Sequence, residues 1–261
     1  MIQETKQSQN TPVIFEYPLR EQIRSFLRLE SLFSLFERSR IAVHPDNHLH
    51  ALKLLFEILE ILERGDTRSE LIKELSRLSL LFSNLKENPN VDSSKLTNFL
   101  GQIKQLHQWV LNYEGKFGDK LRKDPLIETV KYRASIPGGT CQFDCPDLFL
   151  FLNQSSQVRQ QQLKNWIDDI QGVKTSIEVI LRITRDNGCW EDRTAPLGSF
   201  MLETSEVTFQ LLRVRLSTES QLFPEFSCGK HRSNIHFMRF NEFHKKIAIQ
   251  YPVEFELACC Q

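Results

Sequence analysis

Apolar residues recur every three or four positions through most of the first two thirds of the chain. This period predicts amphipathic helices that pack through their apolar faces. A first helix is predicted from Pro18, with an apolar stripe from Leu19 to Phe36. Further helices are predicted over about Leu49 to Arg64, from Thr67, from caps at Asp92 to Ser94 through Val110, in a short stretch ending at Arg133, from Ser156 to Ile170 and from Val173 to Arg185.

The helical period breaks between Lys131 and Leu152. The segment Ser135–Gly139 cannot continue a helix, because its proline lacks an N–H donor and its two glycines favour turns. The alternation over Thr140–Asp144 predicts a short strand. Pro146 suits the first turn of a new helix. This segment is therefore predicted to be a joint between two halves of the chain.

Beyond Gly188 the period changes to two. Leu212, Val214 and Leu216 alternate with Arg213 and Arg215, which predicts a strand with both arginines on one face. Alternation from Ile247 to Leu257 predicts a second strand, in which Pro252 requires an edge position or a break. A third strand is predicted over Ser233 to Phe240.

The predicted fold class is α+β, an N-terminal helical bundle domain with a smaller C-terminal antiparallel β-domain. The predicted parts are a disordered leader at residues 1–12, a helical domain at 13–134 and 147–187, a joint of turn and short strand at 135–146, and a β-domain at 188–261.

The charge and hydropathy of the chain narrow the classes of function that it can have. The 33 basic and 33 acidic side chains cancel, so bulk charge predicts neither nucleic-acid nor membrane binding. No apolar run approaches the roughly 20 residues of a membrane span, and the polar start lacks a signal peptide's apolar core. The six cysteines are then expected to be reduced thiols of a cytoplasmic protein.

Motifs for catalysis and cofactor binding are missing from the sequence. It contains no phosphate-binding loop, dinucleotide fingerprint or HExxH motif, so no cofactor is predicted. Cys141, Cys145, Cys228 and His231 offer four zinc ligands in principle, although their spacing is loose. A metal- or thiol-dependent cytosolic enzyme that uses these four residues is the alternative function; the favoured prediction is a non-enzymatic protein with no catalytic or metal site.

Basic residues are the remaining candidates for recognition. Arg20, Arg24 and Arg28 recur every fourth position and so stack along one helix face. Guanidinium groups in this arrangement suit carboxylates, but each also has the alternative of a local surface ion pair. The candidate partner-binding residues are Arg24, Arg28, Arg122, Lys123, Lys131, Arg133, Arg213, Arg215, Lys230 and Arg232.

Several segments resemble the ZapD family of bacterial cell-division proteins, and the resemblance runs from about Val13 to Cys260. The segment Ser135–Asp144 is the most specific. The other segments are Phe15–Leu19, Leu27–Glu30, Glu63–Gly65, Arg68–Leu71, Lys73–Leu75, Ser220–Pro224 and Phe255–Cys260.

The resemblance implies a cytoplasmic, non-enzymatic homodimer at the mid-cell division site. Members of the family bind the C-terminal tail of the tubulin-like protein FtsZ, and one dimer crosslinks and bundles FtsZ protofilaments to stabilise the Z-ring. The resemblance places Arg24, Arg28 and Arg122 in the basic pocket that receives this tail. Where family members are expected to carry a further basic residue and a histidine, this chain has Pro125 and Phe149. Lys123, Lys131 and Arg133 are the candidates to replace those contacts.

Overall fold

The computed structural model describes residues 12–87, 92–203, 209–229 and 232–261. Except for Pro12, the predicted leader lies outside these ranges. The α-helices in this part of the chain are α1 (Glu21–Ile41), α2 (Pro45–Arg64), α3 (Thr67–Ser83), α4 (Ser93–Asn112), α5 (Asp119–Arg122), α6 (Pro125–Ala134), α7 (Pro146–Leu152), α8 (Ser156–Asp168) and α9 (Gln171–Asp186).

The strands are all paired antiparallel. They are β1 (Val13–Pro18), β2 (Trp190–Ala195), β3 (Ser199–Glu203), β4 (Leu211–Leu216), β5 (Phe223–Cys228), β6 (Arg232–Phe240), β7 (Lys246–Ala248) and β8 (Val253–Cys260). Helices and antiparallel sheets in one chain confirm the predicted α+β class.

The chain divides into two compact units. We call Ser25–Leu181 the helical unit, and Met1–Arg24 together with Arg182–Gln261 the β-unit. The division falls within α1 and within α9, so each of these helices contributes residues to both units.

The helical unit has α2 at its centre. Five residues of this helix, Ala51, Leu52, Leu55, Ile58 and Leu59, are completely buried. The apolar stripe of α1 is buried as predicted, through Phe26, Leu29, Phe33 and Phe36. Among the described helices, none is both long and apolar enough to cross a bilayer.

A buried polar network joins two connections of the helical unit, the one between α1 and α2 and the one between α7 and α8. The Arg159 side chain, 5% exposed, donates from Nε to His48 Nδ1 at 2.7 Å, from Nη1 to the carbonyls of Leu152 and Gln154, and from Nη2 to the Val43 carbonyl at 2.7 Å. His48 donates from Nε2 to the Ala42 carbonyl at 2.8 Å. His48 is therefore held as the neutral Nε2–H tautomer, since its Nδ1 must accept.

The same network predicts a loss of stability in mild acid. Burial, and secondarily the charge of Arg159, lower the pKa of His48 below its usual 6.5 in the folded state. Between the lowered pKa of the folded state and about pH 6.5, the unfolded chain carries a proton on His48 that the folded chain does not. The free energy of unfolding therefore falls as pH falls through this window. The slope from this one group is at most about 1.4 kcal/mol per pH unit.

Urea unfolding at several pH values between about 7 and about 5 measures this slope. His48→Gln is expected to flatten the pH dependence even if it is less stable at neutral pH. The control variant His50→Gln removes an exposed histidine of α2 and should keep the original slope. Equal slopes for the parent protein and His48→Gln would contradict the assignment.

The β-unit is built from two sheets packed face to face. Sheet A has the strand order β1-β4-β8-β2, and sheet B has the order β3-β6-β5 with β7 also paired to β6. Phe255 of sheet A contacts Phe237 and Phe200 of sheet B, with ring centroids 4.8 Å and 5.3 Å apart. Val214 and Leu216 of β4 face this core, and Arg213 and Arg215 share the opposite face as predicted.

The first strand was not predicted from the sequence, and one helix start is wrong. Residues Val13–Pro18 form β1 rather than the approach to a helix, since they pair with Leu211–Leu216 and the Leu19 amide donates to the Gln210 carbonyl. The helix begins at Glu21 instead of Pro18. The strand predicted over residues 247–257 has the break that Pro252 was predicted to cause, and this break separates β7 in sheet B from β8 in sheet A.

The short strand predicted at Thr140–Asp144 is also wrong. This segment forms successive turns, in which the Cys141 amide donates to Gly138 and both the Asp144 and Cys145 amides donate to Cys141. Gly139 makes the first turn possible, because a Cβ there would lie 2.3 Å from the Arg133 carbonyl oxygen. Pro146 begins α7 as predicted.

Candidate partner-binding site

The start of α6 is fixed by Asp124. Its carboxylate accepts from the amides of Leu126 and Ile127, and from the Trp166 indole at 2.9 Å. Pro125 follows in the first turn, where its missing N–H costs nothing. This anchoring sets the direction in which α6 presents its side chains.

Arg122 joins α5 to α2. It donates from Nη1 to the Phe117 carbonyl and to Asp119 Oδ1, each at 3.0 Å, and from Nη2 to the Leu59 carbonyl at 3.0 Å. Its Nε faces Glu63 at 3.8 Å. Gly118 allows this close approach, because it has a φ of +77° and a Cβ there would meet Leu59 at 2.3 Å. Arg122 is therefore mostly buried and partly committed to holding α5 in place.

A cleft of about 430 Å³ opens where α2, α5 and α6 meet. Leu59 and Ile127 give it an apolar floor, while Arg122 and Lys131 bring positive charge and Glu63 and Glu128 bring negative charge. The complete lining is Leu59, Glu63, Arg122, Ile127, Glu128, Lys131, Tyr132 and Ser135. This arrangement suits an extended peptide that carries both apolar and carboxylate side chains.

Two of the predicted binding residues, Arg122 and Lys131, line this cleft together. Lys131 is exposed and makes no ion pair with any residue in the described ranges. Arg133, on the same helix, pairs instead with Asp144 at 3.6 Å. Lys123 and Arg28 are exposed and likewise have no ion pair among the described residues. Phe149 is 44% exposed on α7.

The cleft also contains residues that the sequence analysis did not propose. Glu128, Tyr132 and Ser135 lie at helical spacing from the predicted Lys131, so their common face was available from the sequence. The contribution of α2 was not, because Leu59 and Glu63 reach the cleft only through the tertiary fold. Tyr132 is 66% exposed, an unusual position for so large a ring.

Two of the predicted basic residues in the β-unit, Arg213 and Arg215, have internal partners. Arg213 donates to Glu16 at 2.9 Å and Arg215 to Glu256 at 2.8 Å, and both guanidinium groups lie against the Trp190 ring. These contacts indicate a role in stabilising the outer face of sheet A. As binding residues, Arg213 and Arg215 stay a prediction.

Arg24 also has partners within the β-unit. It donates to Glu21 at 3.1 Å and lies 5.6 Å from the centre of the Tyr17 ring. Arg232 is exposed at the start of β6, opposite Glu203. Lys230 lies outside the described residues. As binding residues, Arg24, Arg232 and Lys230 stay predictions.

Cys145 and Cys228 of the predicted zinc set are poorly suited to nucleophilic chemistry. Burial, supported by a hydrogen bond to Asp147, raises the pKa of Cys145 to about 11, and burial also raises the pKa of Cys228. Such thiols are protonated near neutral pH. In the described part of the chain no three His, Cys, Asp or Glu side chains are grouped as metal ligands, and His231 of the predicted set lies outside that part.

Comparison with known proteins adds a relationship along the whole chain. The family model ZapD, described as "Cell division protein", matches residues 27–236. The chain is similar to proteins called "Cell division protein ZapD" from several bacteria. It is 35% identical to that of Nitrosomonas eutropha over 248 residues, which is 95% of this chain and 99% of the relative.

Other relatives match to the same extent. The protein of Chromobacterium violaceum is 34% identical over 250 residues, covering 95% of this chain and 99% of the relative. That of Klebsiella pneumoniae is 34% identical over 256 residues, covering 96% of this chain and 100% of the relative. The chain therefore belongs to the ZapD family of cell division proteins.

Proposed function

We propose that this protein is a non-enzymatic division factor that binds the C-terminal tail of FtsZ. As a homodimer it crosslinks and bundles FtsZ protofilaments, and so stabilises the Z-ring at the mid-cell division site in the cytoplasm. The observation that carries the proposal is family membership over nearly the full length of this chain and of its relatives. The cleft beside Arg122 supplies a receptor of suitable chemistry.

The tail is held by charge and by apolar contact together. Arg24, Arg28 and Arg122 anchor its carboxylates, and Lys131 contributes a further positive charge inside the cleft. Leu59, Ile127 and Tyr132 receive its apolar side chains. Lys123, Arg133, Arg213, Arg215, Lys230 and Arg232 are auxiliary positions. Arg122 acts with a reduced donor capacity, because three of its hydrogen bonds are made within the fold.

Bundling follows from two weak sites on one assembly. A flexible tail loses conformational entropy when it docks, so each single contact is weak. A dimer that meets a polymer with many tails gains from effective concentration, by a factor of about 10² to 10⁴ in overall affinity. Crosslinking therefore requires no chemical step, and neither nucleic acid, a membrane nor a cofactor takes part.

The cleft is tested by reversing the charge of Lys131. Lys131→Glu is expected to weaken binding of a labelled FtsZ tail peptide about tenfold, since a favourable charge contact of about 1 kcal/mol becomes repulsive. Fluorescence anisotropy measures the Kd, with a scrambled peptide beside it. The Kd of the parent protein should also rise with added salt, because the contacts are partly exposed.

Lys104→Glu is the matched control, since Lys104 is an exposed lysine of α4 that is not part of the cleft lining. It should bind the peptide as the parent protein does. If Lys131→Glu bound the peptide as tightly as Lys104→Glu, the cleft would not be part of the binding site. A parent protein that binds the scrambled peptide equally well would contradict tail recognition itself.

A further inference from the structure

Two thiols face each other at the end of the β2–β8 ladder. The last matched pair of this ladder is Trp190 opposite Ala258. Cys189 directly precedes Trp190, and Cys259 directly follows Ala258. In an antiparallel ladder the next step places Cys189 opposite Cys259.

The side-chain directions agree with this register. Trp190 lies on the outer face of sheet A, against Arg213 and Arg215. Because side chains alternate along a strand, Cys189 shares the other side of β2 with Glu191 and Arg193. The charges of Glu191 and Arg193 are those that act on the Cys259 thiol, which packs against the core between the sheets. Cys189 and Cys259 are therefore on the same face.

The neighbouring Cys260 is directed elsewhere. Its side chain is completely buried on the opposite face of β8, where a Cβ added to Gly188 would lie 2.5 Å from its sulfur. Cys260 is thus packed against the Gly188 backbone. Of the two adjacent cysteines in β8, only Cys259 has the direction needed to meet Cys189.

The spacing of opposed strand residues matches that of a disulfide. Directly opposed Cα atoms in an antiparallel pair are about 4.5 or 5.5 Å apart, and disulfides form at Cα separations of about 4.4 to 6.8 Å. Cys189 precedes the first residue of β2 and is exposed, so its backbone can adjust without breaking a ladder bond.

We propose that Cys189 and Cys259 are a redox pair that forms a reversible disulfide when a hydroperoxide oxidises the protein. With hydrogen peroxide, the Cys189 sulfur attacks one peroxide oxygen as its thiol proton leaves, and the O–O bond breaks. The released hydroxide takes up that proton and departs as water, which leaves Cys189 as the sulfenic acid. The Cys259 sulfur then attacks the sulfenic sulfur, the S–O bond breaks, and a second water leaves with the Cys259 proton. One peroxide is reduced for each pair of thiols oxidised.

The two thiols have different roles in this sequence. Cys189 is exposed and meets the oxidant first. Burial raises the pKa of Cys259 to about 11, so this thiol is protonated and resists direct oxidation. The resulting bond would fasten the connection that follows α9 to β8, a strand that pairs with both β2 and β4.

Peptide mapping tests the pair in the full-length chain. The reduced protein is treated with hydrogen peroxide, remaining thiols are blocked with N-ethylmaleimide, and trypsin digestion without reductant is followed by mass spectrometry. Cleavage after Arg185, Arg193 and Lys246 leaves Cys189 in the peptide 186–193, and Cys259 with Cys260 in the peptide 247–261. The expected product joins these two peptides, with the loss of two hydrogens, and disappears on reduction.

Variants assign the bond. Cys189→Ser should abolish the linked peptide, and as an exposed substitution it leaves the fold intact. Cys260→Ser and Cys228→Ser should retain the linked peptide. A non-reducing gel should keep the oxidised protein at monomer mass. The proposal is overturned if Cys189 still reacts with N-ethylmaleimide after peroxide treatment. It is also overturned if Cys189 is linked to Cys260, or if the bond joins two copies of the chain.

Discussion

Reversing the charge of both Arg24 and Arg28 is expected to abolish co-sedimentation of this protein with FtsZ filaments. Each arginine is proposed to hold a tail carboxylate through a charge-assisted hydrogen bond of about 1.5 to 3 kcal/mol. The change to glutamate removes two such contacts and adds repulsion. The Kd for the tail peptide should therefore rise at least a hundredfold, and the avidity of the dimer cannot compensate for a loss of that size at both sites.

The experiment needs controls for charge and for assembly. Arg38→Glu makes the same change at an exposed position of α1 and should pellet normally. Arg28→Glu alone tests the residue that has no ion pair among the described residues, whereas Arg24 would also lose its contacts with Glu21 and Tyr17. Sedimentation velocity should show that the double variant keeps its assembly state. Normal pelleting of the double variant would reject the assignment.

Removing the buried guanidinium group of Arg159 is expected to have the largest effect on stability. Arg159→Ala leaves His48 Nδ1 and the carbonyls of Leu152, Gln154 and Val43 without their donor. A buried acceptor that is left without a donor costs about 1 to 3 kcal/mol, so loss of the donor to four such atoms is expected to cost about 4 kcal/mol or more. That is a large part of the total stability of a typical domain, which is about 5 to 15 kcal/mol. Urea unfolding followed by circular dichroism measures the loss.

Arg159→Lys separates charge from geometry. Its ammonium keeps the charge but cannot reach the four acceptors that the planar guanidinium satisfies, so less than half of the stability should return. Arg182→Ala, at an exposed arginine of α9, should change the free energy of unfolding by no more than about 0.5 kcal/mol. An Arg159→Ala variant as stable as the parent protein would mean that water replaces the guanidinium.

The helices were predictable because the signals are local. The period of apolar residues in α2 and α4 and the cap at Asp92 depend on residues within one or two turns, and the structure contains these features where the sequence predicted them. α3 begins at Thr67 as predicted, and its N-cap is Asp66, whose carboxylate accepts from the Ser69 amide. Either residue can cap a helix, so propensity alone does not choose between them.

The strands were harder because their partners are distant in the chain. β1 is short and half exposed, and it becomes a strand only by pairing with β4. β2 is mostly polar, so it has no alternating pattern to detect. At Thr140–Asp144 the reverse happened, since five alternating residues suggested a strand but no neighbouring strand pairs with them in the described structure. Alternation over so few residues carries little weight without a partner.

The proposed binding site was predictable in chemistry but not in geometry. Its basic character could be inferred from residues such as Arg122 and Lys131. The acceptors that occupy Arg122, the carbonyls of Leu59 and Phe117, are backbone atoms that carry no signal in the sequence. The same holds for Arg213 and Arg215, whose carboxylate partners lie on other strands.

The strand order of sheet A has a consequence for synthesis on the ribosome. β4 is hydrogen-bonded on one side to β1 and on the other to β8, so one of its partners is synthesised long before it and the other after it. Until Val253–Cys260 has left the exit tunnel, β1 and β4 lack the strand that covers their open edge. The nascent chain must therefore keep these apolar segments from aggregating while the helical unit, whose contacts are complete earlier, is already able to fold.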